Sequence, residues 1–376
     1  MRLATLQSID AVNNRVITDE GEYDYDHLVI ATGADTNFFG NKNIQQFSFP
    51  MKSTSEALQL RHRLLQNFEE AVLTKDSAEL EKLMNVVIVG GGATGVELSG
   101  SIAEMRKYIL PKDYPEIDFS KMNIILLEGM GKLLAGMSEK SSADSKKYLE
   151  KLGVKVMMNT MVNDYDGSTV TLKDGQTIKS YFVIWAAGIK GNVPEGIDKE
   201  LVTRGNRIMV NRYHQVKGFD NIYAVGDLSY METPKFPKGH PQVATVAIQH
   251  GDNLADNFRR MERKSNSIYE FEYFDKGSMA TIGRGAGVVD LPKPKLHFNG
   301  TLGWLMWMGL HIVLLLGMKN RIQVFINWIY KFFTHDQNLR LIFKEFYRQP
   351  KAGTNLNATI TENPAPRKTE AALQAV

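Results

Sequence analysis

The chain contains no cysteine. A redox-active dithiol, a thiolate-held zinc or iron–sulfur cluster and a cysteine nucleophile are therefore excluded, and so are disulfides. It also lacks any large charge imbalance. A net charge of +3 over 376 residues is too small to point to nucleic acid, and an isoelectric point near 8.7 gives only a mild preference for anionic surfaces. The opening MRLATLQSIDAVNNRV has no apolar run long enough for a signal peptide, and no internal repeat is visible. What is present is ordinary for a folded protein, 43% hydrophobic and 23% charged. The length allows two domains, each with its own core.

The sharpest local signal is VVIVGGGATGVELSG at residues 86–100. Four β-branched residues run into Gly90-x-Gly92-x-x-Gly95, and a helical pattern follows. That order gives a buried parallel strand, a tight turn and a helix start that can hold a pyrophosphate. Gly90 permits the turn, Gly92 lets the backbone approach the phosphates, and Gly95 lets the helix pack closely on the strand. A second buried strand, NIILLEG, ends in Glu128, placed to accept the ribose hydroxyls of the adenosine half. Its spacing from Gly90 is roughly twice the usual because of a connection bearing Pro111 and Pro115. An acid there repels a 2′-phosphate, so NADH is expected rather than NADPH. Glu97 reads as lying in the first turn of the fingerprint helix, where it either complements the helix dipole or points towards the reacting end of the nicotinamide.

Three further strand ends carry small residues that let backbone pass close to a flat cofactor or to an interdomain linker. They are VIATGA (Ala31, Thr32, Gly33), VIWAAG (Ala187, Gly188) and YAVGD (Gly226, Asp227), a trio that recurs in two-dinucleotide flavoproteins. Asp227 is placed to accept a hydrogen bond from a flavin ribityl hydroxyl, the alternative being a plain helix cap.

Organisation follows from these motifs. Residues 1–52 read as strands of a partial FAD-binding domain. Residues 53–190 form an NAD(H)-binding domain, expected to be a complete doubly wound unit. Residues 191–299 return to the FAD-binding domain, so that one domain interrupts the other. Residues 300–348 are membrane-anchoring helices, and the polar, Pro-containing 349–376 is a flexible tail.

The chain resembles the type II NADH:quinone oxidoreductases, also called alternative or non-electrogenic NADH dehydrogenases. The resemblance runs from near residue 5 to about Lys344 and is carried by ATGADTNFFGN, VVIVGGGATGVELSG, VIWAAGI, NIYAVGDLS, GHPQVATVAIQHG and the aromatic segment from Gly303. It implies an α/β two-dinucleotide-domain flavoprotein fold, Rossmann-like, with a C-terminal membrane-associating helical segment. It also implies hydride transfer from NADH to FAD, then reduction of a membrane quinone (ubiquinone or menaquinone) without proton pumping and with no metal. On the same basis Glu97 matches a glutamate near the nicotinamide and quinone region. Gln249 matches the second of two glutamines on the helix beside the flavin, which begins near Ala244. Thr245 stands where the first glutamine is usual, one turn earlier on the same face.

The segment TLGWLMWMGLHIVLLLGM, 301–318, carries no charge and is borderline for a membrane span. Its glycines and His311 make it a poor one. From Arg321 the pattern RIQVFINWIYKFF places Gln323, Asn327 and Lys331 in a narrow polar stripe, an amphipathic helix suited to a bilayer surface. The expected attachment is peripheral, on the cytoplasmic face of the inner membrane; the competing reading of the segment is a homodimer interface. Members of the family carry an earlier glycine fingerprint that holds the ADP half of FAD, and no such loop precedes ATGA here. The alternatives to the quinone reductase are therefore a truncated, inactive relative that binds NADH and the membrane but not FAD, or a soluble NADH-flavin or ferredoxin reductase.

Overall fold

The structure, a computed structural model, describes residues 2–334 apart from Arg204, Ser265 and Asn266. The expected tail and the end of the anchoring segment lie outside the described residues.

The chain opens with an antiparallel meander of β1 (Leu6–Asp10), β2 (Arg15–Thr18) and β3 (Gly21–Asp24), followed by β4 (Leu28–Ile30), β5 (Ala34–Thr36) and the short helix α1 (Lys42–Phe47). β6 (Phe49–Pro50) then enters a second sheet. Ser53 and Glu56 form a reciprocal capping box that fixes the start of α2 (Thr54–Leu73), and α3 (Ser77–Met84) runs directly into β7 (Asn85–Val89). The glycine loop opens α4 (Ala93–Tyr108). Pro111 falls in the first turn of α5 (Leu110–Asp113), where its missing N–H breaks no helical bond. β8 (Asn123–Leu127), α6 (Glu139–Lys151), β9 (Val154–Met157), β10 (Val162–Tyr165), β11 (Thr169–Leu172), β12 (Thr177–Lys179) and β13 (Phe182–Trp185) complete this lobe.

Its sheet is parallel, in the order β6-β13-β7-β8-β9. Because strand side chains alternate, β7 feeds two cores. Val86 and Ile88 join the helices through Phe68, Val96, Ile102 and Leu149, whereas Val87 and Val89 join Tyr165, Val170 and Leu172. The second face is thus covered by the three-stranded antiparallel sheet β10-β11-β12. This corrects the expectation of a doubly wound unit. The segment between β9 and β13 is rich in Val, Thr and Tyr and is broken at Asp166-Gly167 and Asp174-Gly175, so it forms hairpins rather than a crossover helix.

β14 (Ile189–Gly191) returns the chain to the first lobe by pairing antiparallel with β5. β15 (Ile208–Met209) pairs parallel with β17 (Ser229–Tyr230), and β16 (Ile222–Ala224) pairs parallel with β4. Ile9 and Ile30 share one core with Ile197, Ile208, Ile222 and Leu228. The long helix α7 (Ala244–Glu262) follows.

The C-terminal portion is a three-stranded sheet, β18 (Ser278–Gly283), β19 (Ala286–Leu291) and β20 (Leu296–Asn299), continuing into α8 (Gly300–Leu314) and α9 (Met318–Thr334). Two glycine contacts mount it. α4 meets β18 so closely at Gly100 that a Cβ would overlap the Ile282 carbonyl, and α8 lies against β19 where Gly303 meets Gly287. Among the described residues β18 pairs only with β19; on its other edge Glu97 of α4 accepts from the Thr281 N–H (3.2 Å), and Glu104 accepts from the Arg284 N–H in the turn that follows. The two acids are seven apart on one helix face and satisfy one N–H of the strand edge and one of the turn beyond it. α8 and α9 fold back as a hairpin, Trp307 stacking on Trp328 and Trp304 meeting Phe332. No helix among the described residues is long and apolar enough to cross a membrane.

The replacement Gly100→Ala is expected to destabilise the fold by about 1–3 kcal/mol, since the added methyl must displace backbone rather than a side chain. Ser101→Ala, at an exposed neighbour, should stay within about 0.5 kcal/mol. Denaturant midpoints measure both, and an unchanged midpoint for Gly100→Ala would contradict the close contact.

Candidate functional site

β7 delivers a fully buried strand to Gly90, whose φ is +111°. A Cβ on Gly90 would overlap the Ala186 backbone, and one on Gly95 would overlap the Gly90 carbonyl, so strand, loop and helix interlock through missing side chains. The loop is pinned by Gly90 N–H to Leu127 O and Leu134 N–H to Gly91 O, both 2.8 Å. Gly92 is different: nothing lies within 4 Å of its Cβ position, and as the N-cap of α4 it makes no side-chain capping bond. The first-turn N–H groups and the positive end of the helix dipole therefore open onto free space, the arrangement that takes a phosphate. Glu128, only 7% exposed, lies beside it. One carboxylate oxygen accepts from Gly91 N–H and the other from Met130 N–H (2.6 Å). Each oxygen keeps a further lone pair for a hydroxyl.

The next two motifs meet at the crossings between lobes. The end of β13 lies against Gly90 through Ala186 N–H to Val89 O (2.8 Å), and Gly188 O accepts from Asn37 N–H (3.0 Å). The returning strand pairs antiparallel with the outgoing one from Ile189↔Thr36 to Gly191↔Ala34. Thr32 donates its hydroxyl to Asn192 O (2.6 Å), and Asn192 N–H donates to Gly33 O (2.9 Å). Ala31–Gly33 and Ala187–Gly188 are therefore brought together, with Ala31 and Thr32 still exposed.

The Gly226-Asp227 turn follows β16. Gly226 has φ +68° and is held by its N–H to His250 Nδ1 (3.2 Å) and by the Ser229 hydroxyl on its carbonyl (3.0 Å). The 226–228 turn has Val225 as its N-cap and no side-chain cap bond; the Asp227 carboxylate faces Lys52 Nζ at 3.4 Å, and the Asp227 carbonyl accepts from Gln242 (2.8 Å). Beside this turn α7 also starts without a side-chain cap at Val243, leaving Ala244 exposed. Thr245 meets the Tyr273 hydroxyl at 2.8 Å, and the Gln249 carboxamide exchanges two 3.0 Å bonds with the Phe274 backbone. Both side chains thus hold the 273–274 segment against α7. Glu97 lies beyond the first turn of α4, which contains no acidic residue. This corrects the first-turn placement and removes the helix-dipole reading. Burial raises the pKa of its carboxyl, opposed by the Thr281 N–H and by the charge of His311.

Sequence reasoning missed Lys52, Asn192, Gln242 and His250, whose partners are distant in the chain and leave no periodic signal. It also missed a buried cluster of His214, His240 and His250 around Phe271, with ring centroids of 4.8 Å between His214 and His250 and 5.7 Å between His240 and His250. No group of metal-ligating side chains is found among the described residues.

A parallel sheet, a glycine loop with an acid beside it and a second lobe joined through paired crossings define a dinucleotide-binding oxidoreductase. Residues 3–251 match the family described as pyridine nucleotide-disulphide oxidoreductase, and residues 276–335 match the NDH2 C-terminal domain. The chain is 36% identical over 316 residues to the type II NADH:quinone oxidoreductase NdhA of Mycobacterium tuberculosis, covering 81% of this chain and 66% of that protein. It is 34% identical over 319 residues to Ndh of the same organism, covering 82% and 67%. The fold matches that of Plasmodium falciparum NDH2, solved in complex with NADH, with a TM-score of 0.79 at 23% identity, covering 91% and 85%. The chain belongs to the type II NADH:quinone oxidoreductase family. It spans about two thirds of the length of the curated relatives it matches.

The histidines beneath the Gly226 turn give a pH prediction. Burial holds His214 and His250 neutral, lowering their pKa from 6.5 to about 4 and about 3, with the neighbouring histidines adding to the effect. The unfolded chain takes up these protons first, so their contribution is complete above pH 6.5 and is lost as pH falls through the folded values. By pH 4 the loss is on the order of 3 kcal/mol per histidine. Denaturant midpoints measured from pH 7.5 down to 4 should fall accordingly, and His214→Gln should flatten part of the slope. An equally steep profile in that variant would place the acid sensitivity elsewhere.

Proposed function

We propose that the chain transfers hydride from NADH to FAD and passes the electrons to a membrane quinone, without moving protons across the bilayer. The observation that carries this reading is the open N-terminus of α4 at Gly92 beside the Glu128 carboxylate, a pairing that suits a pyrophosphate and the ribose hydroxyls next to it. On this assignment residues 53–190 bind NADH, residues 1–52 and 191–299 form the flavin lobe, and residues 300–348 meet the membrane.

The residues of the flavin lobe fit the ring and ribityl half of FAD. Ala31 and Thr32 are exposed at a strand end, Gly33 and Gly226 both have φ +68°, and the uncapped start of α7 at Ala244 lies beside the Gly226 turn. Asp227 would accept from a ribityl hydroxyl in exchange for, or together with, Lys52. The uncapped N–H groups of α7 favour negative charge on a ring beside them. When bound, FAD supplies the hydride acceptor and the electron relay. Burial lets the Glu97 carboxyl hold its proton to higher pH than an ordinary glutamate, and it would supply that proton to a quinone bound beside it. Thr245 and Gln249 fix the 273–274 segment against α7.

The helix hairpin supports a peripheral membrane reading. Leu302, Leu305, Leu310, Val313 and Leu314 of α8, with Ile322, Phe325, Ile326, Ile329 and Phe333 of α9, are exposed together. So large an apolar surface calls for an occupant. Lys319 and Arg321 at the start of α9 suit an anionic leaflet such as the cytoplasmic one.

A second reading rests on one observation. Among the described residues the flavin lobe holds no glycine loop opening a helix. In that reading the chain by itself binds NADH and lipid and holds FAD weakly.

Gel filtration of the purified chain after FAD addition separates the two. Retained flavin that NADH bleaches anaerobically, and that a short-chain quinone then re-oxidises, is the expected outcome; a colourless protein selects the second reading. For the membrane, Phe325→Glu with Ile329→Glu should weaken flotation with anionic liposomes about tenfold or more, given the area each side chain would bury. Unchanged flotation, accompanied by dimer dissociation, would assign the surface to a second copy of the chain.

A further inference from the structure

The root of the C-terminal hairpin is held by a polar cluster that the proposed electron transfer does not use. One face of α6 presents Ser141, Asp144 and Tyr148, at i, i+3 and i+7, towards β19, β20 and the first residue of α8. His297 of β20 sits between two carboxylates, with Nδ1 2.9 Å from Asp290 Oδ1 and Nε2 3.0 Å from Asp144 Oδ2. Asp144 Oδ2 also accepts from the Asn299 amide, at 2.6 Å. The Tyr148 hydroxyl oxygen takes a hydrogen bond from the Gly300 backbone. Asp290 in turn accepts from Ser138 N–H (2.8 Å), Ser138 Oγ (2.9 Å) and Ser141 Oγ (2.9 Å). One socket on α6 thus grips residues 297, 299 and 300, where the sheet becomes α8.

The hydrogen bonds set the charge of the histidine. A carboxylate only accepts, so both ring nitrogens must donate, and that requires the imidazolium. The His297 side chain is 18% exposed, with Asp144 at 27% and Asp290 at 19%, so water screens the cluster only in part. We propose that His297 is a proton-operated clamp: protonated, it ties the root of the α8–α9 hairpin to the nucleotide-binding lobe, and on losing its proton it loosens that root.

The groups facing the ring account for the direction. Burial opposes the charge, but the bonds and charges of Asp290 and Asp144 outweigh it, so the His297 pKa is raised above 6.5. Burial works against ionisation of both acids, but the Asn299 amide, His297 and, least, Lys147 lower the pKa of Asp144, and Ser138, His297 and Ser141 lower that of Asp290. With a raised folded pKa, the clamp is complete below pH 6.5 and is lost as pH rises through the folded value. A ready acceptor switch exists. Ser141 Oγ lies 3.2 Å from Nδ1, so the hydroxyl can turn from Asp290 to the bare nitrogen once the proton leaves. The bond to Asp290 is then lost, and the Nε2 bond to Asp144 loses the positive charge that strengthened it, so the ring no longer bridges α6 to both strands and its tie to the nucleotide-binding lobe weakens.

The device works whatever the chain oxidises, and its test needs no cofactor. Hydrogen exchange of the 296–303 segment, corrected for the intrinsic pH dependence, should show protection at pH 6 that falls at least about threefold across a midpoint above 6.5. Ring nitrogen signals of the ¹⁵N-histidine-labelled chain should titrate one imidazole at that midpoint. His297→Gln should remove both the step and the signal, and Asp144→Asn, which keeps the histidine, should move the midpoint down. A His297 titration at or below 6.5, or the same exchange step in His297→Gln, overturns the proposal. Should the glutamine variant fail to fold, the wild-type titration and the Asp144→Asn shift decide alone.

Discussion

The rest of the molecule depends on the contact between Gly90, Gly95 and the Ala186 backbone, where three chain segments meet with no side chain between them. That contact lets α4 begin directly at the end of a buried strand, so its free N–H groups open at Gly92. The same helix then serves a second purpose. Further along, Gly100 brings it onto β18, where Glu97 satisfies an N–H of that strand's free edge and Glu104 one in the turn that follows. One helix therefore presents the dinucleotide site at its start and carries the sheet that bears the apolar hairpin along its side. A side chain at either glycine contact would move both.

The two lobes are tied at a narrow place. Both covalent crossings run in a single antiparallel pair, β5 with β14, reinforced by the Thr32–Asn192 bonds. Across it the Lys52–Asp227 pair is partly exposed, at 37% and 20%, so it contributes at most about 1 kcal/mol. That weakness suits the proposed role, since Asp227 gives up little when a polyol hydroxyl approaches. The turn itself is held more firmly from beneath, by His250 on Gly226. That histidine keeps its acceptor nitrogen free because burial prevents it from charging.

Much of this was legible in the sequence where a local pattern carried it. The run from Val86 to Gly100 announced strand, loop and helix because β-branched residues, glycines and a helical repeat follow one another. Glu128 could be placed despite its doubled spacing, since the prolines explained the gap. The region 154–185 was less legible: short strands were expected, but the antiparallel sheet that they build in place of a helix was not, though Asp166-Gly167 and Asp174-Gly175 were available as hairpin turns. The sequence pattern puts Glu97 in the first turn, but α4 starts only after Gly92, which leaves it just beyond that turn. Non-local partners left no trace at all. Nothing near Glu97 points to Thr281, 184 residues away, and nothing near Gln249 points to the Phe274 backbone. The family resemblance supplied these residues as candidates; the structure shows what each of them holds.

The central claim is that the α4 start and the Glu128 carboxylate form one site that accepts a ribose with free hydroxyls and rejects a 2′-phosphate. Calorimetric titration of the chain with NADH and with NADPH tests it directly, alongside Glu128→Gln. NADH is expected to bind more tightly by roughly tenfold or more, which corresponds to about 1.4 kcal/mol, with a smaller preference in the variant. Equal affinities in the native chain, or a preference that survives unchanged without the carboxylate, would contradict it.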